Sequence, residues 1–466
     1  MPDVKITLNG KETIANENQT ILEVARENNI AIPTLCYDQY LKPFESCWLC
    51  LVEIKSEKRF VPSCSTKVQK GMEIETDNSD VHALRRRVLE ILLSEHYADC
   101  VAPCTLKCPA RVDIQGYIAL VHNGLYHEAV KLIKERISLP LSVSRICSAF
   151  CEKECHRQIV DEPISIRQIK RYTAEKDIED AYNTYVPEKS PSSGKEVVIV
   201  GAGPAGLTVA YYLTLNGHKC TIFEANPESG GMLRYGIPEF RLPKKILKKE
   251  IELIEKSGVN IKNNERLGRD FTLQFLFKEY DAIFLGLGAQ NSMKMNLKGE
   301  NLKDCYFDVD FLKDVIEGKV KKIGKIVAVV GGGNSAVDVA RTAIRLGAEK
   351  VLIVYDRSEE QMTAEKEQIE LSKEEGVEFS FLQNPTEILG KEGKVVGIQC
   401  VKMGLSEPDS NGHQRQIRIP NSEFIMKVDT IIFAINRIPN TKFLLNETSE
   451  IESQYLKLTK GHTLLI

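Results

Sequence analysis

Ten of the thirteen cysteines lie before residue 156, and this concentration constrains the fold more than any other feature of the sequence. The remaining three, Cys220, Cys305 and Cys400, are isolated. The polar N-terminal residues lack the apolar stretch of a secretory signal, and no apolar run reaches the roughly 18 residues of a membrane-spanning helix. In a cytoplasmic chain, clustered cysteines indicate metal or redox chemistry rather than disulfides. We therefore expect a cytoplasmic, cluster-binding protein with no membrane partner.

The sequence changes character along its length, which predicts several domains. At roughly 150 residues per domain, 466 residues suggest about three or four domains. Residues 1–80 read as a small β-rich unit, 81–184 as helices and 185–195 as a polar linker. Short Val/Ile strands then alternate with helices, which is typical of parallel α/β domains. The 62 basic and 65 acidic residues nearly cancel, so nucleic acid is not an expected partner.

The first cysteine set has the spacing C-x10-C-x2-C-x13-C and comprises Cys36, Cys47, Cys50 and Cys64. Four thiolates suit either zinc or an iron–sulfur cluster. A zinc ribbon usually has two C-x2-C pairs, whereas this sequence has one. A predicted hairpin at Asn9-Gly10 and a helix opened by the capping box Thr20–Glu23 precede the first cysteine. This scaffold favours a [2Fe–2S] ferredoxin domain.

The second cysteine set consists of two trios with x3 spacing, namely Cys100, Cys104 and Cys108, and then Cys147, Cys151 and Cys155. On a helix this spacing places side chains on one face, close enough to bind one cluster. His96 lies four residues before Cys100, and a lone histidine at a helix end is more often solvated than a metal ligand.

Two glycine-rich fingerprints predict two dinucleotide sites. Each follows a buried-type strand, opens a helix and is followed by a second strand that ends in an acid, Glu224 or Asp356. The glycines permit a tight turn and a close approach to a pyrophosphate at the helix N-terminus, and the acid binds ribose hydroxyls. The predicted binding residues are Gly201, Gly203, Pro204, Ala205, Gly206 and Glu224 in the first site and Gly331, Gly333, Asn334, Ser335, Ala336, Asp356 and Arg357 in the second. Two such sites suggest one tightly held flavin and one nicotinamide dinucleotide.

The first 80 residues resemble the N-terminal ferredoxin domain of the large iron–sulfur subunit of respiratory complex I and its hydrogenase relatives. The resemblance lies in IPTLCYDQYLKPFESCWLCLVEI and VPSCSTKVQKGMEIET. It implies a β-grasp-like fold and a [2Fe–2S] cluster. Trp48 departs from the family, which usually has arginine between the paired cysteines, but the change removes no ligand. LLSEHYADC resembles the next motif of that subunit, whose histidine binds a cluster, and this implies the same role for His96.

Residues 96–440 resemble the small subunit of glutamate synthase, and the cysteine trios also resemble dihydropyrimidine dehydrogenase. The matching runs are RICSAFCEKEC, GAGPAGL, GGMLRYGIPEFRLPK, YDAIFLGLGA and VVGGGNSAVDVARTAIRLGA. The resemblance implies two [4Fe–4S] clusters, FAD in the first site, NADPH in the second and nested Rossmann-type domains. It also places Gly231, Arg234, Tyr235 and Gly288 beside the flavin. The family's last cluster ligand, a Glu or Gln, aligns with Lys170, which is no ligand, and Gln168 lies two positions away. Two such clusters need eight ligands; the trios supply six, and His96 is a candidate seventh. The resemblance therefore implies one complete [4Fe–4S] cluster and leaves the second open.

The second fingerprint departs from the family at the residues that select the dinucleotide. The family's Tyr-Arg-Arg suits the 2′-phosphate of NADPH, whereas this chain has Tyr355-Asp356-Arg357. A carboxylate repels a phosphate and accepts hydrogen bonds from free hydroxyls, which favours NADH. Arg357 keeps NADPH as the alternative, so we predict NAD(H) or NADP(H) with a preference for NADH.

The predicted domains are thus 1–80 for [2Fe–2S], 81–184 for [4Fe–4S], 196–300 with 428–466 for FAD and 301–427 for NAD(P). Residues 428–444 are predicted to return the chain to the FAD domain, with Asn436 in place of a usual glycine. The family's later Gly-Gly-Asp motif is missing, so the FAD domain is expected to be C-terminally incomplete. A fragment, an early stop or completion by a partner chain would each explain this.

The expected activity is electron transfer from NAD(P)H through FAD and the clusters to a partner subunit or a soluble carrier such as ferredoxin, within a hetero-oligomeric complex. Hydride transfer requires stacking and electrostatics rather than an acid or base, so no catalytic side chain is predicted. A flavin disulfide reductase is disfavoured because no C-x2-C follows residue 156. The alternative of another class is a non-catalytic electron-wire or scaffold subunit that holds clusters but no flavin.

Overall fold

The computed structural model describes residues 3–94, 101–179, 184–406 and 416–439, and the backbone of two short strands at 457–458 and 464–465. Contacts divide the chain into two units. The first contains Met1–Leu132 and Ala149–Ile169, and the second contains Ile133–Ser148 and Lys170–Ile466. The predicted helical domain over 81–184 stays a prediction. Within it, residues 133–148 belong to the second unit and pack into its core, where Leu139 is buried.

The first unit begins with a mixed five-stranded sheet in the order β2-β1-β5-β3-β4. Asn9 and Gly10 form the β1–β2 turn with φ angles of 50° and 77°, and both hydrogen bonds of the Thr20–Glu23 capping box are present, so the predicted hairpin and helix start are confirmed. The elements are β1 (Asp3–Leu8), β2 (Lys11–Asn16), α1 (Ile21–Glu27), β3 (Leu51–Ile54), β4 (Arg59–Pro62) and β5 (Glu73–Glu75).

Helices follow the five-stranded sheet, as predicted from residue 81 onwards. One of them ends at Asn123-Gly124, where Gly124 adopts a φ of 77° that ends a right-handed helix. No helix in the described ranges is long and apolar enough to cross a membrane. The helices are α2 (Ser79–Ser94), α3 (Pro103–Lys107), α4 (Ile114–His122), α5 (Tyr126–Lys134), α6 (Pro140–Ile146), α7 (Phe150–Lys153) and α8 (Ile166–Glu179).

The second unit contains a sheet with a parallel core in the order β9-β6-β7-β8. β6 and β7 are buried because helices pack against the sheet, which explains their continuous apolar sequence. The elements are β6 (Glu196–Val200), α9 (Pro204–Leu215), β7 (Lys219–Glu224), α10 (Met232–Tyr235), α11 (Lys244–Lys256), β8 (Asn260–Asn263), α12 (Leu273–Glu279) and β9 (Ala282–Leu285).

A second parallel sheet follows in the order β11-β19-β12-β13-β14, and β15–β18 form a separate antiparallel sheet. The elements of this region are β10 (Asn291–Ser292), β11 (Cys305–Phe307), α13 (Asp308–Ile316), β12 (Ile326–Val330), α14 (Asn334–Arg345), β13 (Lys350–Tyr355), α15 (Lys366–Glu374), β14 (Val377–Phe381), β15 (Gln383–Lys391), β16 (Lys394–Leu405), β17 (Gln416–Arg418), β18 (Phe424–Met426), β19 (Thr430–Phe433) and β20 (Arg437–Ile438).

The chain leaves the second sheet later than the sequence suggested. The prediction that residues 428–444 return to the FAD domain, whose sheet contains β6, β7 and β9, is wrong for β19. This strand pairs in parallel with both β11 and β12 of the other parallel sheet. Its four residues are all buried, as a central parallel strand requires. The crossing follows, where β20 pairs with β10 in a short antiparallel ladder. The final strands are β21 (Lys457–Leu458) and β22 (Leu464–Leu465). β22 pairs with β9, in the sheet that contains β6 and β7.

Candidate functional site: two cysteine sets and two dinucleotide clefts

The first cysteine set lies in the loops around β3. Cys47, Cys50 and Cys64 are buried, whereas Cys36 is partly exposed, and none of the four forms a disulfide. Burial acts to raise the pKa of Cys36, but hydrogen bonds from Cys47 and Ser46 bring it below its usual value. Burial, with the neighbouring Cys50 thiol, raises the pKa of Cys64 to about 12. The Cys36 thiol is hydrogen-bonded to Cys47 and the Cys64 thiol to Cys50, and Cys36 also lies near Cys64.

This pairing suits two irons that each receive two thiolates. The backbone N–H of Leu49 lies 3.5 Å from the Cys47 sulfur, so the loop also offers a hydrogen bond to a ligand. Trp48 adopts a left-handed φ of 54°, and its side chain is half exposed. Within the described ranges, no three His, Cys, Asp or Glu side chains converge as a single metal ion requires. The four-thiol set fits a [2Fe–2S] cluster, whose ligands spread over two irons.

The second cysteine set is described in part. Cys104 and Cys108 flank the end of α3, and Cys151 and Cys155 lie on and after α7. Burial raises the pKa of Cys104, and the nearby Cys155 thiol adds to this effect. Four cysteines from the two trios thus come together in the first unit. The predicted ligands His96 and Cys100 lie outside the described residues, and Cys147 belongs to the second unit.

Tyr117 lies near three of these cysteines, Cys104, Cys108 and Cys151, and nothing in the sequence had distinguished it. The side chain is buried, and its hydroxyl donates a hydrogen bond of 3.2 Å to the Ile166 carbonyl. Burial raises the pKa of Tyr117, and the thiols of Cys151 and Cys108 add to the effect. Lys170, which aligns with the family's last ligand, is buried, and Gln168 is exposed.

A cavity of about 1020 Å³ in the first unit connects the two cysteine sets. Cys36 from the first set lines it together with Cys104 and Cys155 from the second. Phe44 and Ile118 contribute to its apolar lining. Residues from the two sets are far apart in the sequence, and only the tertiary structure shows that they border the same space.

The first cleft, of about 280 Å³, lies at the carboxyl ends of β6, β7 and β9. Gly206 does not line it but allows α9 to approach β6, because a Cβ there would lie 1.9 Å from the Gly201 carbonyl oxygen. Of the predicted residues, those that line this cleft are Gly201, Gly203, Pro204, Ala205, Glu224, Gly231 and Gly288. Such a glycine loop at a helix N-terminus fits a pyrophosphate.

Glu224 is buried at the end of β7, and its carboxylate is already engaged by the chain. One oxygen accepts the Ala202 N–H at 2.7 Å, and the other accepts the Asn226 N–H at 2.8 Å and its side-chain amide at 2.7 Å. These bonds fix the carboxylate at the wall of the cleft. Lys313 from α13 reaches the same cluster and donates to the Asn226 amide oxygen at 3.0 Å.

Two residues predicted to contact the flavin by analogy do not line the first cleft. The Arg234 guanidinium donates to the Ser229 carbonyl at 2.6 Å and pairs with Glu228. Tyr235 donates to the Glu228 carbonyl at 3.1 Å. Both side chains therefore hold the loop before α10. Gly231 in that loop does approach the fingerprint, since a Cβ there would lie 2.7 Å from the Gly203 Cα.

The second cleft, of about 670 Å³, has the same position on the other parallel sheet. The predicted residues that line it are Gly331, Gly333, Asn334, Ser335, Asp356 and Arg357. Ala336 lies behind the loop and is fully buried. Asp356 is partly buried and Arg357 is exposed, and both line the cleft, which therefore presents a carboxylate and a guanidinium together. The sequence did not indicate Gln383 or Asn384, which also line this cleft from the start of β15.

Charged side chains that the sequence did not identify join the two dinucleotide-binding regions. Arg241 forms a 2.8 Å ion pair with Asp338 on α14, and both are buried. Burial raises the pKa of Asp338 to about 6 despite the attraction of Arg241. Arg437 from β20 donates to Asp308 at 2.9 Å and to the Ser335 hydroxyl at 2.7 Å, so the crossing segment contacts the second fingerprint. No spacing rule reveals such partners, because they are distant in the sequence.

The loop between α10 and α11 is also fixed by a buried cation. The Lys244 ammonium donates to the carbonyls of Leu233, Ile237 and Leu242 at 3.1, 2.5 and 3.2 Å. Burial lowers the pKa of Lys244 to about 8. The GGMLRYGIPEFRLPK run is therefore a closed loop whose own backbone binds its last residue.

Comparison with known families agrees with this geometry. The family described as pyridine nucleotide-disulphide oxidoreductase matches residues 195–462, which is more than half of the chain. The chain belongs to this family. A 2Fe-2S iron–sulfur cluster binding domain matches residues 2–79, and the 4Fe-4S domain II of dihydropyrimidine dehydrogenase matches residues 94–182. The predicted fold class of this family member is confirmed, as are the [2Fe–2S], [4Fe–4S], FAD and nicotinamide dinucleotide cofactors.

The relatives of this family member include the glutamate synthase [NADPH] small chain of Escherichia coli (strain K12). It is 36% identical over 368 residues, which cover 75% of this chain and 77% of that one. The predicted resemblance to this subunit is thus confirmed. The NADPH-Fe(3+) oxidoreductase subunit beta of Geobacter sulfurreducens (strain DL-1 / KN400) is 41% identical over 350 residues, or 74% of this chain and 52% of that one.

The NADP(+)-dependent formate dehydrogenase subunit beta of Moorella thermoacetica is 40% identical over 366 residues, with 74% of this chain and 52% of that one covered. The chain therefore spans about half the length of the first relatives it matches. Each of these relatives is named as a subunit or a chain.

Proposed function

We propose that the chain oxidises NAD(P)H and delivers the electrons one at a time to a partner subunit or to a soluble carrier such as a ferredoxin. The observation that carries the proposal is that two fingerprint clefts lie in one unit, joined by the β10–β20 ladder and by Arg437. In this reaction NAD(P)H loses two electrons, two one-electron acceptors are reduced and one proton is released. When bound, FAD accepts a hydride and the clusters carry single electrons.

The described side chains support distinct roles in this reaction. We propose that Glu224 holds a ribose in the first cleft, where Ala202 and Asn226 fix its carboxylate. The N-terminus of α14 would hold the second pyrophosphate, with Arg437 positioning the Ser335 hydroxyl. We propose no side-chain acid or base, because hydride transfer depends on stacking and electrostatics. Arg234 and Tyr235 support the first cleft indirectly, through the loop before α10.

We further propose that the predicted cysteines form the electron exit. The four thiols around β3 would hold the [2Fe–2S] cluster, and the second set would hold [4Fe–4S]. The shared cavity bordered by Cys36, Cys104 and Cys155 supports direct passage between them. His96, Cys100 and Cys147 remain proposed ligands of the second set. The relatives' names as beta or small subunits support a hetero-oligomeric enzyme, and the many thiols support a cytoplasmic location.

We propose NADH as the preferred donor. Asp356 lines the second cleft at the end of β13, where a carboxylate accepts hydrogen bonds from ribose hydroxyls and repels a 2′-phosphate. The names of three relatives include NADPH or NADP(+), and Arg357 in the same cleft would support that alternative. Initial rates with each dinucleotide decide between them.

The experiment that tests the proposal begins with anaerobic purification of the chain. Acid-released FAD and iron are measured per chain, followed by reduction of a one-electron dye with NADH and with NADPH. Near-stoichiometric FAD and dye reduction by either dinucleotide would support the oxidoreductase. Protein that contains iron but no flavin, and that reduces no dye, would contradict it and would support the electron-wire subunit.

A further inference from the structure

Residues 133–148 connect the two cysteine trios but belong to the second unit. Their last helix, α6, ends directly at Cys147, whose backbone N–H donates to the Val143 carbonyl at 2.9 Å. Cys147 is a proposed cluster ligand. Because its backbone closes the last turn of α6, its position follows that of the helix.

α6 is packed against the helices of the first dinucleotide-binding region. Leu139, just before α6, is buried in one core with Leu207 of α9 and Leu247 of α11. The Ser138 and Thr208 hydroxyls lie 2.8 Å apart, and Thr208 is one turn beyond Pro204, which lines the first cleft. The segment that ends at Cys147 is thus attached to the helix that begins at the first fingerprint.

Glu250 on α11 makes the most specific contact in this attachment. Its side chain is buried, and its two carboxylate oxygens accept the N–H groups of Leu141 and Ser142 at 2.6 and 2.8 Å. These N–H groups lie in the first turn of α6, where no intrahelical acceptor exists and a negative charge is favourable. The N-cap residue Leu139 offers no side-chain acceptor, so Glu250 caps α6 from another helix.

The Glu250 carboxylate is buried, which is unfavourable for a charged group unless it is paired or hydrogen-bonded. Burial raises the pKa of Glu250, whereas its hydrogen bonds to Ser142 and Leu141 and the buried Lys134 favour the ionised form. Glu250 does not line the first cleft, and nothing in its position suggests a contact with the dinucleotide. Its role lies in holding α6.

We propose that Glu250 is a positioning residue that fixes the cluster ligand Cys147 relative to the first cleft, and that electron transfer between the flavin and the cluster depends on it. This inference rests on the proposed function. In this inference Cys147 is held in place by the contact of α6 with α11, and not by the other cysteines alone.

The opposite end of the segment has its own anchor, which makes the proposal testable. The Ser148 hydroxyl donates to Glu365 at 2.8 Å, and the Glu365 backbone N–H donates to Asn334 of the second fingerprint at 3.0 Å. With Ser148 and the apolar contacts of Leu139 in place, loss of the Glu250 cap should loosen α6 without unfolding the unit.

The test uses the full chain loaded with flavin and clusters, and compares Glu250→Ala and Glu250→Gln with Glu252→Ala. Glu252 is an exposed glutamate on the same helix and serves as the matched control. Stopped-flow absorbance after mixing with NADH and, separately, with NADPH follows flavin reduction and then cluster reduction. We expect wild-type flavin reduction in all three variants, but cluster reduction slowed about tenfold in Glu250→Ala, because a small displacement of a positioned group costs rate steeply.

Two further readouts separate positioning from general damage. Hydrogen exchange of the chain without cofactors should accelerate at residues 141–147 in Glu250→Ala and stay unchanged in Glu252→Ala. The electron paramagnetic resonance signal of the reduced [4Fe–4S] cluster should broaden in Glu250→Ala only. Glu250→Gln keeps one acceptor oxygen and the side-chain shape, so its cluster reduction should be intermediate.

Wild-type rates of cluster reduction in Glu250→Ala would overturn the inference. Should that variant fail to bind flavin or iron, Glu250→Gln decides by the same two rates: slowed cluster reduction supports the inference, and wild-type reduction overturns it. If the wild-type chain itself reduces its flavin but not its clusters, the proposed function fails instead of this inference.

Discussion

The two dinucleotide-binding regions share one fingerprint but stabilise it by different means. α9 follows its glycine loop at van der Waals distance from β6, which only Gly206 permits. α14 has Ala336 at the same position, and its buried face includes Asp338 and Arg341, each of which has charged partners. The acids differ as well, since Glu224 is buried and bonded within the chain while Asp356 is partly exposed.

This difference shows that a fingerprint specifies a pyrophosphate site without specifying how tightly the site is held. The first region is fixed by close packing and internal hydrogen bonds, as suits a cofactor that stays bound. The second is fixed by ion pairs and leaves its recognition residues accessible, as suits a substrate that exchanges. The following predictions test this contrast, in order of decreasing expected effect.

The largest effect should come from Gly206→Ala. A Cβ would lie 1.9 Å from the Gly201 carbonyl oxygen, so α9 must move away from β6 and the first cleft must deform. We expect FAD binding to weaken about a thousandfold, equivalent to about 4 kcal/mol, as measured by fluorescence titration. The matched change Ala336→Gly adds no atom and should leave the KM for NAD(P)H within about twofold. Stoichiometric FAD in Gly206→Ala would refute close packing as the cause.

Replacement of Arg241 by leucine should destabilise the chain by about 3–5 kcal/mol, because Asp338 is left buried without its partner. Urea unfolding of the second unit measures this. The pKa of Asp338 already lies above its unfolded value and should rise further in Arg241→Leu, so its folded form binds a proton more tightly. The loss should therefore be smaller at pH 5.5 than at pH 7.5. An equal loss in the free energy of unfolding at the two pH values would contradict an effect of the Asp338 charge.

Exchange of the carboxylate in the second cleft should change the choice of dinucleotide. In Asp356→Arg the repulsion of a 2′-phosphate is replaced by attraction, so the ratio of kcat/KM for NADPH over NADH should rise about tenfold or more, equivalent to about 1.4 kcal/mol. Glu370→Arg makes the same charge change at an exposed position of α15 and controls for net charge. An equal rise of this ratio in both variants would show that Asp356 does not select the dinucleotide.

The smallest effect is expected for Glu375→Gln. Glu375 accepts hydrogen bonds from Arg345 at 2.6 Å and from Arg341 at 2.7 Å, and these lower its pKa to about 2. Because the folded pKa lies below the unfolded value, the stabilisation is present above about pH 4.5 and disappears as the pH falls towards 2. We expect a loss of about 1 kcal/mol at pH 7, measured by urea unfolding. Glu374→Gln next to it should show none, and equal losses in the two variants would exclude the arginine contacts.

Local patterns were sufficient for much of the architecture. The Asn9-Gly10 hairpin, the Thr20–Glu23 capping box and both strand–glycine loop–helix units form as predicted, because hydrogen bonds and φ preferences act between residues a few positions apart. Most fingerprint residues also line their clefts. Arg234 and Tyr235 do not line the first cleft, because the analogy located their loop but not the direction of their side chains.

Assignments that depend on distant pairing were less predictable. β19 was expected in the first sheet and lies in the second, because a short buried apolar strand fits the centre of any parallel sheet. Residues 133–148 were grouped with the cysteine helices, yet Leu139 and Glu250 join them to α9 and α11. Arg241, Asp338 and Tyr117 had no local signature at all.

The sequence by itself determined the kinds of sites: thiol sets for iron–sulfur clusters and glycine loops for two dinucleotides. These follow from residue type and spacing, which fix the chemistry of donors and the local turn. Only the tertiary structure decided which cysteines border a common cavity, which carboxylate is buried and which is accessible, and that Glu250 caps the helix leading to Cys147. Most of these features arise from packing between segments that are far apart in the sequence, such as Glu250 and Ser142, which are 108 positions apart. There the burial of a few side chains selects one arrangement among many that the local patterns allow.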